Sequence, residues 1–79
     1  MIIKILGGGC ANCRKLYTIA AQAAQELGVQ AELVKVQDMR DIVSYGVMRT
    51  PALVINEKVK VFGKVPKIDE VKKYISEEM

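Results

Sequence analysis

A short β-branched run, Ile2-Ile3-Lys4-Ile5-Leu6, stops at three consecutive glycines and gives way to an apolar stripe at helical spacing. Leu16, Ile19, Ala20, Ala23 and Leu27 stand at i, i+3, i+4, i+7 and i+11, the pattern of one buried helix face from about Asn12 to Leu27. Gly28 follows and is free to take the positive φ of a helix end. The stretch Val29 to Val36 alternates in part (Ala31, Leu33, Val34, Val36) and predicts a second strand. Strand, helix and strand in that order close as a right-handed crossover with the two strands parallel. Everything downstream must then pack on one sheet.

Asp38 suits the N-cap of a short helix running through Ser44, with Met39, Ile42 and Val43 facing inward and Gly46 ending it. Thr50-Pro51 interrupts any regular element. The fully apolar Ala52-Leu53-Val54-Ile55 predicts a buried strand, and Asn56-Glu57-Lys58 a tight connection to Val59-Lys60-Val61-Phe62, which alternates as a half-exposed strand does. After the loop Gly63-Lys64-Val65-Pro66, a terminal helix is marked by Ile68, Val71, Tyr74 and Ile75, with Asp69 and Glu70 in its first turn, where the helix dipole favours acids. The expected fold class is therefore α/β: β-α-β-α-β-β-α, a four-stranded mixed sheet flanked by helices, the last two strands forming a hairpin. At 79 residues there is room for a single domain, 1–79, and none for a second domain or a large internal cavity.

Composition removes several chemistries. The chain has no His, so Ser-His and Cys-His nucleophile pairs and His metal sites are excluded. It has no Trp and one Phe, too few aromatics for a base-stacking platform. The net charge of +3 is mild, and the lysines of the last third are interleaved with Glu57, Asp69, Glu70, Glu77 and Glu78, so no nucleic-acid partner is expected. The glycine run satisfies no phosphate-loop pattern and reads as loop flexibility ahead of a reactive cysteine. Met1 to Leu6 is too short for a signal core or a membrane span; the expectation is a cytoplasmic protein with no membrane partner.

Both cysteines lie in Cys10-Ala11-Asn12-Cys13, where the glycine loop meets the first helix. In a first helical turn, i and i+3 share a face about 5–6 Å apart, the Cα separation a disulfide requires. Unpaired N–H groups and the positive end of the helix dipole stabilise a thiolate there. Position suggests the roles: Cys10, loop-side and outermost, as the attacking thiolate, and Cys13, a turn deeper, as the thiol that resolves the mixed disulfide. A purely structural bridge is the weaker reading, because so short a loop removes little chain entropy. A CxxC pair in a βαβ context points to redox chemistry.

Strand, Gly-Cys-x-x-Cys at a helix start, and Thr50-Pro51 opening the third strand together resemble a minimal thioredoxin fold. The similarity is to the small thioredoxin/glutaredoxin-like redox-active disulfide proteins of archaea and bacteria, and it runs from Ile2 to about Ile75. The resemblance implies a thiol–disulfide oxidoreductase in which Cys10 and Cys13 cycle between dithiol and disulfide. It implies that Pro51 is cis and faces them, that the backbone of Thr50 pairs with an extended substrate segment, and that Gly63 lets a partner approach. No cofactor and no metal are implied. The implied partners are protein disulfide substrates and a disulfide reductase, with the protein a monomer.

Some residues depart from the family pattern. Ala11-Asn12 replaces the usual residues inside the motif, so Gly9, Ala11 and Asn12 are candidates for tuning it, and the potential of neither thioredoxins nor glutaredoxins carries over. Gly7-Gly8-Gly9 stands where a Trp is usual. Lys4 stands six residues before Cys10, where thioredoxins carry a buried acid; beside Cys13 it would favour that thiolate, and at a strand end it would extend its ammonium to solvent. Arg14 and Lys15 follow the motif and read as a solvated face, the alternative being that they steady a thiolate or attract an anionic substrate. Gly63-Lys64-Val65-Pro66 lacks the turn glutaredoxins use for glutathione. The alternative reading is a soft-metal carrier, since Gly-x-Cys-x-x-Cys also resembles heavy-metal-associated domains that pass Cu(I) between thiolates; those run β-α-β-β-α-β and finish on a strand.

Overall fold

A computed structural model describes residues 1–7 and 9–79; Gly8, the middle of the glycine run, lies outside the described residues. The elements are β1 (Ile2–Leu6), α1 (Ala11–Glu26), β2 (Glu32–Val36), α2 (Met39–Ser44), β3 (Ala52–Ile55), β4 (Lys58–Phe62) and α3 (Ile68–Ser76). They form one sheet in the order β2-β1-β3-β4. β1 runs parallel to β2 and antiparallel to β3, and β3 runs antiparallel to β4. This is the β-α-β-α-β-β-α order of the minimal thioredoxin fold, and it finishes on a helix.

Strand alternation distributes the core to two faces. Ile3 and Ile5 of β1 and Leu53 and Ile55 of β3 point to one side, where Leu16, Ala20 and Ala23 of α1 and Val71 and Ile75 of α3 cover them. The small alanines let α1 approach the sheet closely. Leu6, Ala52 and Val54 point to the other side and meet Ile42 of α2 and Val47. β3 is buried along its whole length because it lies inside the sheet and is covered on both faces.

Two sequence expectations shift. The second strand begins at Glu32 rather than Val29, because β1 offers partners only from Ile2 to Leu6, paired with Glu32 to Val36. Val29 instead closes the end of α1, its N–H donating to the Ala24 carbonyl at 3.0 Å. Of the three α2 residues expected inward, only Ile42 is buried, at 5% exposure, whereas Met39 is 70% and Val43 58% exposed. A six-residue helix lying on a face this small brings a single side chain over Leu6, Ala52 and Val54. Ile42→Ala is accordingly expected to cost about 2–3 kcal/mol by cavity formation, and Val43→Ala less than about 0.5 kcal/mol; urea denaturation midpoints of the two variants check this.

The hairpin between β3 and β4 turns on Asn56 and Glu57, both at positive φ (50° and 68°), as the two-residue turn that matches strand twist demands. Asn56 also anchors the turn to β1, its side-chain oxygen accepting from the Ile2 N–H at 3.1 Å. In β4, Leu53 opposes Val61 while Val54 opposes Val59, so Lys60 is the extra residue of a bulge. Its ammonium reaches Glu78 at 2.8 Å and Glu77 at 3.2 Å, fastening the end of α3 to the sheet edge. Among the described residues no helix is long and apolar enough to cross a membrane.

Candidate active site

Cys10 is the N-cap of α1, with extended backbone (φ −73°, ψ 160°), and its sulfur accepts the Cys13 N–H at 3.1 Å. The sulfur thus fills the place that a Ser or Asp oxygen fills in most helix caps. Cys10 and Cys13 are joined by a disulfide with their Cα atoms 5.0 Å apart. Cys10 is exposed at the surface, and Cys13, one turn into the helix, is only 4% exposed. No acid stands in the first turn of α1, so nothing there opposes negative charge. On reduction, a Cys10 thiolate keeps the N–H donor and the dipole that favour it, whereas Cys13 stays under cover.

The glycine before the motif has a steric task. Gly7 is buried, at φ +137°, and its N–H continues the β1–β2 ladder by donating to the Val36 carbonyl at 2.8 Å. A Cβ there would stand 2.6 Å from the Cys13 sulfur and 3.2 Å from the Thr50 Cβ. The disulfide and the Thr50 side chain therefore face each other across a gap that only glycine leaves open. The Thr50–Pro51 peptide bond is cis, with Thr50 exposed and Pro51 buried. Gly63, just past β4, donates its N–H to the Pro51 carbonyl at 2.9 Å, and a Cβ on it would press on the Arg49 side chain at 3.3 Å. The fold thus brings Cys10, Cys13, Thr50, Pro51 and Gly63 to one end of the sheet. Gly9, exposed, has its carbonyl held by Arg14 Nη1 at 2.5 Å, so Arg14 secures the loop ahead of Cys10; Ala11 and Asn12 are exposed on the helix start.

A small cleft of about 70 Å³ opens beside Cys13, lined by Ile5, Gly7, Gly9, Arg14, Lys35 and Gln37. Its β1 residue is Ile5, not Lys4, and among the described residues it holds no carboxylate.

A sequence model of the thioredoxin domain matches residues 1–76. A thioredoxin of Methanothermobacter thermautotrophicus is 40% identical over 76 residues, covering 96% of this chain and 99% of that one. A thioredoxin of Methanocaldococcus jannaschii is 36% identical over 72 residues, covering 91% and 83%. The chain belongs to the thioredoxin family. With its paired cysteines at the helix start, it is a thiol–disulfide oxidoreductase.

Lys4 takes no part at the sulfurs. It points to the α2 side of the sheet, where its ammonium donates to the Tyr45 hydroxyl at 2.8 Å and pairs with Glu57 at 2.6 Å. The hydrogen bond to Glu57, then that to Tyr45, holds the Lys4 pKa well above the ordinary lysine range, and the same bond to Lys4 lowers the Glu57 pKa. Glu26 and Glu78 are likewise lowered by bonds to Lys72 and Lys60. A lowered carboxylate contributes stability that is fully present above its unfolded pKa, near 4.5, and is lost as pH falls through the folded value. A raised lysine contributes stability that is fully present below 10.5 and is lost as pH rises through its folded value. With no His in the chain, the disulfide form is expected to hold a flat denaturation midpoint from about pH 5 to about pH 10 and to weaken outside it. Thermal unfolding across that range checks the plateau.

Two residues of the site escaped the sequence reading. By sequence Gly7 belongs to the flexible loop, and nothing in its position next to the motif marks it as a glycine that faces the sulfur. Counting six residues back from Cys10 lands on Lys4 and misses Ile5. A one-residue shift along a strand exchanges the two faces of the sheet, and the alternation of Ile3 and Ile5 with the α1 stripe was the signal for which face Cys13 meets.

Proposed function

We propose that Cys10 is the nucleophile and Cys13 the resolving thiol in the reduction of protein disulfides. The Cys10 thiolate attacks one sulfur of the substrate disulfide, forms a mixed disulfide and releases the other sulfur as a thiolate. Cys13, deprotonated, then attacks the Cys10 sulfur, which re-forms the Cys10–Cys13 disulfide and frees the second substrate thiolate. Two electrons pass from the dithiol to the substrate, and a disulfide reductase returns two electrons to reopen the pair. The exposed backbone of Thr50, beside Pro51, receives an extended segment of the substrate, and Gly63 leaves room for it. Gly9, Ala11 and Asn12 set the loop and helix start that tune the pair. The acting unit is residues 1–79 as one domain and one monomer, in the cytoplasm, where disulfides are kept reduced.

The observation that carries this reading is the asymmetry of the pair, Cys10 exposed on the helix cap and Cys13 buried one turn below it. Catalysed reduction of insulin by dithiothreitol tests it: the protein is expected to accelerate precipitation of the released chains at substoichiometric concentration. Absence of acceleration, with tight stoichiometric uptake of Cu(I) by the reduced protein, would instead favour a metal carrier.

A further inference from the structure

We propose that the end of the molecule bearing Cys10 is a cationic docking face for partner segments that carry acidic residues around their disulfide, an inference that rests on the redox reading above. Five cations surround the site. Arg14 and Lys35 line the cleft beside Cys13, and Lys15 lines a groove with Ala11 and Arg14. Arg49 packs on Gly63 and precedes Thr50, and Lys64 follows Gly63.

The ion pairs among the described residues all lie elsewhere: Lys4 with Glu57, Lys58 and Lys60 with Glu77 and Glu78, and Lys72 with Glu26. None of the five cations around the site enters one. Arg14 is bound to a neutral carbonyl and Lys35 lies over the Tyr17 ring at 4.9 Å, contacts that leave their charges uncompensated.

Of the acids outside those pairs, two are engaged at helix starts. Asp38 caps α2 by accepting the Arg40 N–H at 2.8 Å, with Asp41 beside it, and Glu70 accepts the Lys67 N–H at 3.3 Å, with Asp69 beside it. The four lysines and four glutamates of the ion pairs cancel, so the net charge of +3 resides in residues outside those pairs, the five cations around the site among them.

Apolar side chains complete the surface: Met48 is 91% and Phe62 51% exposed, on the chain segments that lead to Thr50 and to Gly63. A field of one sign over an apolar centre selects partners of the opposite sign and raises their association rate, and salt removes the effect. The occupant that fits is an extended protein segment with an apolar residue beside its cysteine and Asp or Glu on either side.

The test uses the full-length reduced protein and three disulfide-bonded peptides that differ only in flanking residues, Glu, Gln or Lys. At low ionic strength the Glu-flanked peptide is expected to be reduced about tenfold or more faster than the Lys-flanked one, and the ratio is expected to approach one near 0.5 M salt, where the screening length is only about 4 Å. In a Lys15→Glu, Lys64→Glu double variant the rate for the Glu-flanked peptide, taken relative to the Gln-flanked peptide in the same protein, is expected to fall to about one or below. Equal rates for all three peptides would overturn this inference and leave the redox reading intact. Failure to reduce any of the three would overturn the redox reading, and this one with it.

Discussion

Cys10→Ser is expected to lower turnover of a protein disulfide by about a thousandfold or more, the scale on which loss of a nucleophile acts. The fold should survive, because a serine hydroxyl caps a helix N-terminus at least as well as the sulfur it replaces. Cys13→Ala is expected to behave differently. The attack by Cys10 is retained and only the resolving step is lost, so the variant should accumulate a covalent mixed disulfide with its substrate. Alanine suits this position better than serine, since it leaves no unpaired hydroxyl at a site that is 4% exposed. Non-reducing electrophoresis and intact mass of each variant after exposure to a protein disulfide distinguish the two. Trapping by Cys10→Ser alone would reverse the assigned order, and equal trapping by the two variants would abolish it.

Gly7→Val is expected to be the most damaging glycine substitution, at about 3–4 kcal/mol. A side chain at φ +137° is strained by about 1–3 kcal/mol, and overpacking adds about 1–3 kcal/mol, because its Cβ would fall 2.6 Å from the Cys13 sulfur and 3.2 Å from the Thr50 Cβ. Relief requires shifting the end of β1 away from the bridged Cys13 of α1, or moving the chain before Pro51. Gly9→Ala provides the contrast. Its Cβ meets nothing within 4 Å, and its φ is +29°, so the expected cost is about 1 kcal/mol, for backbone conformation alone. Guanidinium denaturation of the two variants in the disulfide form reads the difference, and equal midpoints would remove the steric argument for Gly7.

The element order was legible because strand and helix periodicities are strong here: Ile2–Leu6, the Leu16 to Leu27 stripe and the unbroken Ala52–Ile55 run each admit one reading. The cysteine pair was legible because its spacing and its place at a helix start are fixed by local chemistry. What stayed hidden depended on tertiary contacts. Val29 resembles a strand residue, yet β1 is too short to pair with it. Met39 and Val43 resemble core, yet only Ile42 reaches the sheet from α2. Lys4 stands at the sequence distance of a functional group and points to the wrong face, into a pair with Glu57. The clustering of charge at one end was hidden as well, since Arg14, Lys35, Arg49 and Lys64 are scattered along the chain and meet only when the sheet forms.

Cys10 and Cys13 of one molecule are expected to open and close reversibly, with Cys10 the accessible partner. Equilibration of the protein in thiol–disulfide buffers of graded potential, followed by acid quench, alkylation and mass spectrometry, tests it most directly. Two species are expected, a monomer with the intramolecular bridge and a monomer with both thiols alkylated, interconverting in a single two-electron transition, with brief alkylation of the reduced protein falling on Cys10. Oxidation that yielded only linked dimers, or brief alkylation that fell on Cys13, would contradict it.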